Sequence, residues 1–295
     1  MKLTFWGTRG SIPSPGIKTI RYGGNTPCVE LRMDNDELFI LDAGSGIRAL
    51  GKKLLQENKS IKATILISHT HWDHIQGFPF FSPLAFKENE FKIIGGQIFS
   101  KSLKKVLSNQ MDSVYFPIRL NEYAATVNFF HTKEEVFDIN GTKIETIYAN
   151  HPHYALGYKI IHNGKTLIYI TDNEPLTIEN ISKMKTKKFI LKKFLNSGTD
   201  PNQRIYDFCK NADVFIHDST YTSEEYKNHI GWGHSDYLFT LKIAEIAKVK
   251  HCVLFHHNVD RSDDELDEIV EVCRKKVSNT SIQISAAIEG STIEI

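Results

Sequence analysis

The run His69-Thr70-His71-Trp72-Asp73-His74 puts three imidazoles and one carboxylate into six residues, directly after the apolar stretch Ala63-Thr64-Ile65-Leu66-Ile67-Ser68. In extended chain His69 and His71 point to one side, while a following turn can aim Asp73 and His74 at a second point. Neutral imidazole and carboxylate suit zinc, manganese or iron, and a pair of such ions can share a hydroxide that is nucleophilic near neutral pH. Metal-assisted hydrolysis is therefore the first expectation. The competing reading is chance clustering of polar residues in a loop, and the density of ligands at one strand end speaks against it.

Other groups that could join this motif lie far along the chain. His151 follows a strand-like run in Tyr148-Ala149-Asn150-His151-Pro152, and Asp172 closes Leu167-Ile168-Tyr169-Ile170-Thr171. Phe255-His256-His257 offers two more imidazoles. Taken singly, such a histidine is usually a surface residue, and such an aspartate a turn former or helix cap.

With the turn Ile40-Leu41-Asp42-Ala43-Gly44-Ser45-Gly46, the His-x-His-x-Asp-His motif resembles the metallo-β-lactamase superfamily, and the resemblance runs over nearly the whole chain. It implies an α/β protein, an αββα sandwich of two mixed sheets flanked by helices, formed as one domain over residues 1–295. It gives Asp42 a structural role at a strand end. It also implies two divalent ions, zinc first and manganese or iron next: His69, His71 and His151 on one, Asp73, His74 and His257 on the other, Asp172 bridging. His257 is preferred to His256 because Arg261 then matches the arginine that follows the family's closing histidine. His153 is expected near the site without binding metal.

The segment Asp213-Val214-Phe215-Ile216-His217-Asp218-Ser219-Thr220-Tyr221, with Gly233-His234-Ser235, resembles the ribonuclease Z branch. There an acidic residue orients the histidine of the second segment at the scissile phosphate. Asp218 and His234 occupy those positions, with Asp in place of the usual Glu, so the implied catalytic set is Asp73, Asp218 and His234. Metal-bridged hydroxide would attack phosphorus while His234 protonates the departing sugar oxygen. The bland alternative is a helix-capping Asp and a buried structural His.

Ribonuclease Z carries a long arm for gripping tRNA between the third-motif histidine and the bridging aspartate. Only 20 residues separate His151 from Asp172, and they read as two strands joined at Asn163-Gly164. Gly7-Thr8-Arg9-Gly10-Ser11-Ile12-Pro13 and Arg21-Tyr22-Gly23-Gly24-Asn25-Thr26 resemble a compact, armless branch that includes cyclic-nucleotide phosphodiesterases. The expected substrate is a small phosphodiester, with a 3′,5′-cyclic nucleotide first. Rivals are ribonuclease Z-like RNA processing, a lactonase, esterase or phosphotriesterase of the same fold, and a non-catalytic metal-dependent sensor. A flavin-linked di-iron oxidoreductase fits less well, since that branch has an acidic residue where His71 stands.

These groups need a scaffold, and apolar runs predict strands near 2–6, 28–33, 37–42, 63–68, 142–149, 156–161, 166–171, 213–217, 251–255 and 282–289. Helical spacing joins Ile47, Leu50, Leu54 and Leu55, and again Leu266, Ile269, Val270, Cys273 and Val277, where Ser262 and Glu265 form a capping-box signature. A further helix is expected after Ser235. Gly23-Gly24 and Gly44-Ser45-Gly46 read as turns with special backbone angles. Residues 78–130 read as a helix-and-loop excursion over the site, whose Tyr115 and Phe116 could stack on a base. Residues 174–204 read as a second insertion, with six lysines between Lys183 and Lys193 that form a solvated face or guide a phosphate-bearing ligand.

Composition narrows the class. With 36 basic and 35 acidic side chains, the balance gives no sign of a general nucleic-acid or membrane binder. Cys28, Cys209, Cys252 and Cys273 form no Cys-x-x-Cys pair and read as buried thiols. Met1 leads directly into a strand-like run, and no stretch approaches the roughly 18 apolar residues of a spanning helix, so a cytoplasmic enzyme is expected. Compact members of the resembled branch are often homodimers, which makes a homodimer the expected partner state.

Overall fold

The structure, a computed structural model, describes residues 1–96, 102–177, 180–181 and 200–295. Internal contacts divide the chain into two compact units. The first comprises Met1–Glu135, Asn258–Asp263 and Ala287–Ile295, and the second Val136–His257 and Asp264–Ala286.

The first unit is built on a seven-stranded mixed sheet in the order β14-β1-β2-β3-β4-β5-β6. Its strands are β1 (Lys2–Gly7), β2 (Cys28–Arg32), β3 (Leu38–Leu41), β4 (Lys62–Ile67), β5 (Glu90–Gly96), β6 (Thr126–Thr132) and β14 (Thr292–Glu294). From β3 to β6 neighbouring strands run parallel. β3 is buried at every position and β4 at all but its first, the continuous apolar reading of a strand covered on both faces. Helix α1 (Ile47–Leu55) lays Ile47, Leu50 and Leu54 into the core, where each buried side chain is worth about 1.5–3 kcal/mol. α2 (Trp72–Ile75) and α3 (Leu103–Gln110) complete its described α-helices, and Ser102 caps α3 by accepting the Lys105 N–H.

Residues 78–130 are not an excursion. Phe78 and Leu84, in short 3-10 turns, and Phe81 between those turns lie within the same hydrophobic core as Ile40, Ile47 and Ile65, and the stretch then supplies β5 and β6 to the sheet. The Phe- and Pro-rich composition reflects core filling. Phe116 packs edge-on against Phe80 at 5.3 Å, while Tyr115 is exposed.

The second unit carries the other seven-stranded mixed sheet, in the order β13-β12-β11-β10-β9-β8-β7. Its strands are β7 (Val136–Ile139), β8 (Thr142–Tyr148), β9 (Leu156–His162), β10 (Lys165–Ile170), β11 (Val214–Asp218), β12 (His251–Phe255) and β13 (Gln283–Ala286). β10 to β13 run parallel, and β7 to β10 antiparallel. Asn163 (φ 50°) and Gly164 (φ 73°) make the expected two-residue turn between β9 and β10, with Lys165 paired to His162. Helices α4 (Gln203–Cys209), α5 (Ser223–Tyr226), α6 (Tyr237–Ala247) and α7 (Asp263–Lys276) accompany this sheet. Asp236 starts α6 by accepting the N–H groups of Leu238 and Phe239.

The chain thus has two mixed sheets with helices, as expected. All four cysteines are free and buried. Among the described residues no helix is long and apolar enough to cross a membrane. The lysines of Lys183–Lys193 lie outside the described residues.

Candidate metal centre

In the first unit the ligand-bearing loop leaves the carboxyl end of β4, beside the carboxyl end of the parallel β3, the usual location of sites in such sheets. Asp42 ends β3 in a left-handed conformation (φ 59°) that aims its carboxylate across at the neighbouring strand end. One oxygen accepts the Ser68 N–H at 2.7 Å, and the other accepts the Ser68 hydroxyl at 2.8 Å and lies 2.8 Å from His74 Nδ1. Asp42 therefore has the structural role expected of it. By taking the Nδ1 proton it directs the lone pair of His74 to Nε2, as carboxylates do for metal-binding histidines.

That Nε2 lies 3.2 Å from Asp73 Oδ2, which itself accepts the Ser11 N–H at 2.8 Å. Two electron-pair donors this close fit a shared cation. The His69 ring sits 4.6 Å from that of His71 and 4.2 Å from that of His74, so all four side chains of the motif converge within this unit. Gly44 is needed here for space: a Cβ would strike the Asp73 carbonyl. Gly46 has ordinary right-handed helical angles, contrary to the expected special angle, and is glycine because a Cβ would meet the Trp6 carbonyl.

In the second unit Asp172, immediately beyond β10, is the centre of a second cluster. Its Oδ1 lies 3.5 Å from His256 Nε2, and its Oδ2 lies 3.9 Å from His151 Nε2 and 3.8 Å from His234 Nδ1. Ligand atoms of Asp172, His234 and His256 all fall within 4.8 Å of one another. Both carboxylate oxygens thus face imidazole nitrogens, Oδ1 that of His256 and Oδ2 those of His151 and His234. Neighbouring groups hold these rings in turn: His151 Nδ1 faces the His153 carbonyl at 3.2 Å, and His256 Nδ1 lies 3.0 Å from the Thr220 hydroxyl. His153 thus contributes through its backbone. His257 is buried, but the cluster around Asp172 takes in His256 instead.

The structure brings Asp218 and His234 together. His234 Nδ1 meets Asp218 Oδ2 at 3.0 Å, and the imidazole stacks on His256 at 4.8 Å between ring centres. Asp218, fully buried, also accepts the Thr220 hydroxyl at 2.7 Å and the Asn173 N–H at 3.2 Å. Its shorter side chain therefore does reach His234. Asp218 and His234 flank Asp172, placing an oriented imidazole beside the carboxylate.

Several participants escaped sequence reasoning. Asn173 receives the Asn150 N–H at 2.9 Å and offers its amide to His217 Nε2 at 3.0 Å, linking the His151 loop to β11. Ser235 donates its hydroxyl to the Asn173 carbonyl. Glu174 is fully buried and accepts donors from Tyr226 and from the turn preceding His234. Burial, and then Glu174, raise the Tyr226 phenol well above its ordinary range, so it remains a donor. The sequence signal for Glu174 was its place two residues after Asp172.

The family model described as the beta-lactamase superfamily domain matches residues 38–191. A ribonuclease Z of Oceanobacillus iheyensis is 27% identical over 312 residues, covering 95% of this chain and 96% of its own. Among solved structures, a diphosphatase from the PhnP family superposes with a TM-score of 0.67 at 18% identity, covering 100% of this chain and 97% of that one. Human tRNase Z, short form, does so with a TM-score of 0.63 at 17% identity, over 100% and 99%.

Proposed function

The chain belongs to the metallo-β-lactamase superfamily, in its ribonuclease Z-like branch, and from that premise we propose that this metal-dependent hydrolase is a dinuclear phosphodiesterase acting on a small phosphodiester, a 3′,5′-cyclic nucleotide first. The observation that carries the reading is the Asp218–His234 pair, 3.0 Å apart, with the His234 ring nitrogen 3.8 Å from Asp172. Opening a cyclic nucleotide expels a sugar alkoxide that must be protonated, and an imidazole oriented by a carboxylate can supply that proton, whereas a p-nitrophenolate leaving group departs without one.

The donor sets suit divalent ions, with zinc the first choice. The assignment across the two units rests on the family resemblance: His69, His71 and His151 for one ion, Asp73, His74 and a C-terminal histidine for the other, Asp172 between them. For that histidine we take His256 in place of the expected His257, because His256 Nε2 faces Asp172 Oδ1 at 3.5 Å. A bound metal pair would supply positive charge to the phosphoryl oxygens and an activated water. The chain's own residues do the rest. Asp218 accepts the Nδ1 proton of His234 and fixes the ring, which leaves Nε2 to deliver a proton to the leaving oxygen.

The test is turnover of the metal-loaded protein on cyclic mononucleotides, bis(p-nitrophenyl) phosphate, a lactone and a short RNA, beside the His234→Ala variant. The variant should lose about 10²- to 10⁴-fold on substrates with an alkoxide leaving group. It should lose far less on the p-nitrophenyl ester and keep its metal content. Turnover of the lactone alone would remove Asp218 and His234 from their roles. RNA processing is the second reading, favoured by relatives named ribonuclease Z that align over nearly the full chain.

A further inference from the structure

Glu174 belongs to neither the metal ligands nor the Asp218–His234 pair, yet its carboxylate is fully buried. Oε1 accepts the Gly231 N–H at 2.6 Å and the Tyr226 O–H at 2.9 Å, while Oε2 accepts the Gly233 N–H at 3.0 Å. Its own N–H donates to the Asn150 carbonyl at 2.7 Å. Asp172-Asn173-Glu174 is therefore a hub: Asp172 faces the histidines, Asn173 meets Asp218, and Glu174 grips the turn that delivers His234. Gly231 and Gly233 both stand at φ 92°, a conformation that turns their N–H groups onto one carboxylate and that other residues rarely adopt. A buried carboxylate is costly unless donors surround it, and these three donors help to hold it there.

We propose that Glu174 is a positioning residue for the general acid: by clamping the Gly231–Gly233 turn it fixes His234 against Asp218 and beside Asp172. The inference rests on the phosphodiesterase reading. Glu174→Gln keeps the volume but turns an N–H₂ toward one of the backbone donors, so the turn loosens while the fold and the ligands stay. Geometry that serves only proton delivery shows up where the leaving group needs a proton, not where it leaves unaided.

In the metal-loaded protein, Glu174→Gln should lower kcat on an alkoxide-leaving phosphodiester by at least about tenfold, with KM within about twofold. On bis(p-nitrophenyl) phosphate it should lose less than about threefold, and in a His234→Ala background it should cost nothing further. Hydrogen exchange at the Gly231 and Gly233 amides should accelerate by about tenfold or more, a readout independent of turnover. If Glu174→Gln does not fold, Tyr226→Phe removes one of the three donors and should show the same leaving-group dependence on a smaller scale. Equal losses on both substrates, additive losses with His234→Ala, or unchanged amide exchange would overturn the proposal. If His234→Ala itself shows no leaving-group dependence, the general-acid reading falls and Glu174 with it. If His234→Ala shows it and Glu174→Gln does not, only the role of Glu174 falls.

Discussion

His217 donates its Nδ1 proton to the Asp218 carbonyl at 2.8 Å and accepts the Asn173 amide at Nε2 at 3.0 Å, so the neutral ring satisfies both partners. Burial holds its pKa down at about 4, against the opposing pull of Asp218. Between the ordinary 6.5 and 4 the unfolded chain takes up a proton that the folded chain refuses, so stability is lost as pH falls through that window. The loss from this one residue is on the order of 3 kcal/mol. The His217 ring resonances should therefore stay constant from pH 8 to about 5.5, and a His217→Gln variant should show a flatter dependence of Tm on pH than the parent. A His217 midpoint near 6.5 would refute the argument. At the adjacent pair, His256→Ala should lower metal content, whereas His257→Ala should leave it unchanged by elemental analysis. The resemblance favoured His257 through Arg261, but the left-handed backbone at His256 (φ 59°), which no sequence pattern announces, turns Nε2 of His256 toward Asp172. The motif 69–74 stood out by its density of ligands after a buried strand, whereas Asp172, Asp218 and His234 were singled out by the resemblance to a known family. Glu174 and Asn173 were not, since their partners lie in distant loops.

At the scale of elements, the strands whose apolar runs are unbroken were legible, with ends within a few residues of the observed ones. β5 was hidden because its alternation, Glu90-Phe91-Lys92-Ile93, soon gives way to Gly95-Gly96, and a parallel strand pairs with residues far away. β6 is a sheet edge whose alternation is faint: Val127 and Phe129 are half-buried against the core between exposed neighbours, and the exposed Phe130 breaks the sequence pattern. β7 is four residues long, and its one signal is the Asn140-Gly141 turn, with φ of 50° and 85°, that pairs it to β8. The turn between α5 and α6 gives the sharpest element-level prediction. Gly231 and Gly233 share φ 92°, so alanine at either costs roughly 1–2 kcal/mol of backbone strain. At Gly231 nothing lies within 4 Å of the added Cβ, while at Gly233 it strikes the His151 ring and Pro152. Gly231→Ala should lower Tm modestly with metal content intact. Gly233→Ala should lower Tm further and release metal by displacing His151. Equal behaviour of the two variants would show that strain, and not the approach to His151, governs this turn.

For the molecule as a whole, the open choice is between a small phosphodiester and RNA, and the two make opposite electrostatic demands. A protein that neutralises 6–10 phosphates of duplex DNA loses about 10³- to 10⁵-fold in affinity between 50 and 200 mM salt, and a grip on folded RNA through several phosphates follows the same counterion-release rule. This chain has a net charge of +1, and the span between His151 and Asp172 is occupied by β9, a two-residue turn and β10, where the resembled tRNA-processing enzymes carry their arm. The region with concentrated positive charge in sequence is the six-lysine stretch 183–193. A small cyclic substrate makes one phosphate contact, so kcat/KM for it should change by less than about threefold over that salt range. Precursor tRNA should be cleaved poorly beside it. If precursor tRNA proves the better substrate with a steep salt dependence, and replacing those six lysines by glutamine flattens that dependence, the stretch substitutes for the arm and the small-substrate reading is lost. If the glutamine variant opens cyclic nucleotides as the parent does, its charge has no part in recognising the phosphate, and specificity must come from the ordered loops around Asp172 and His234.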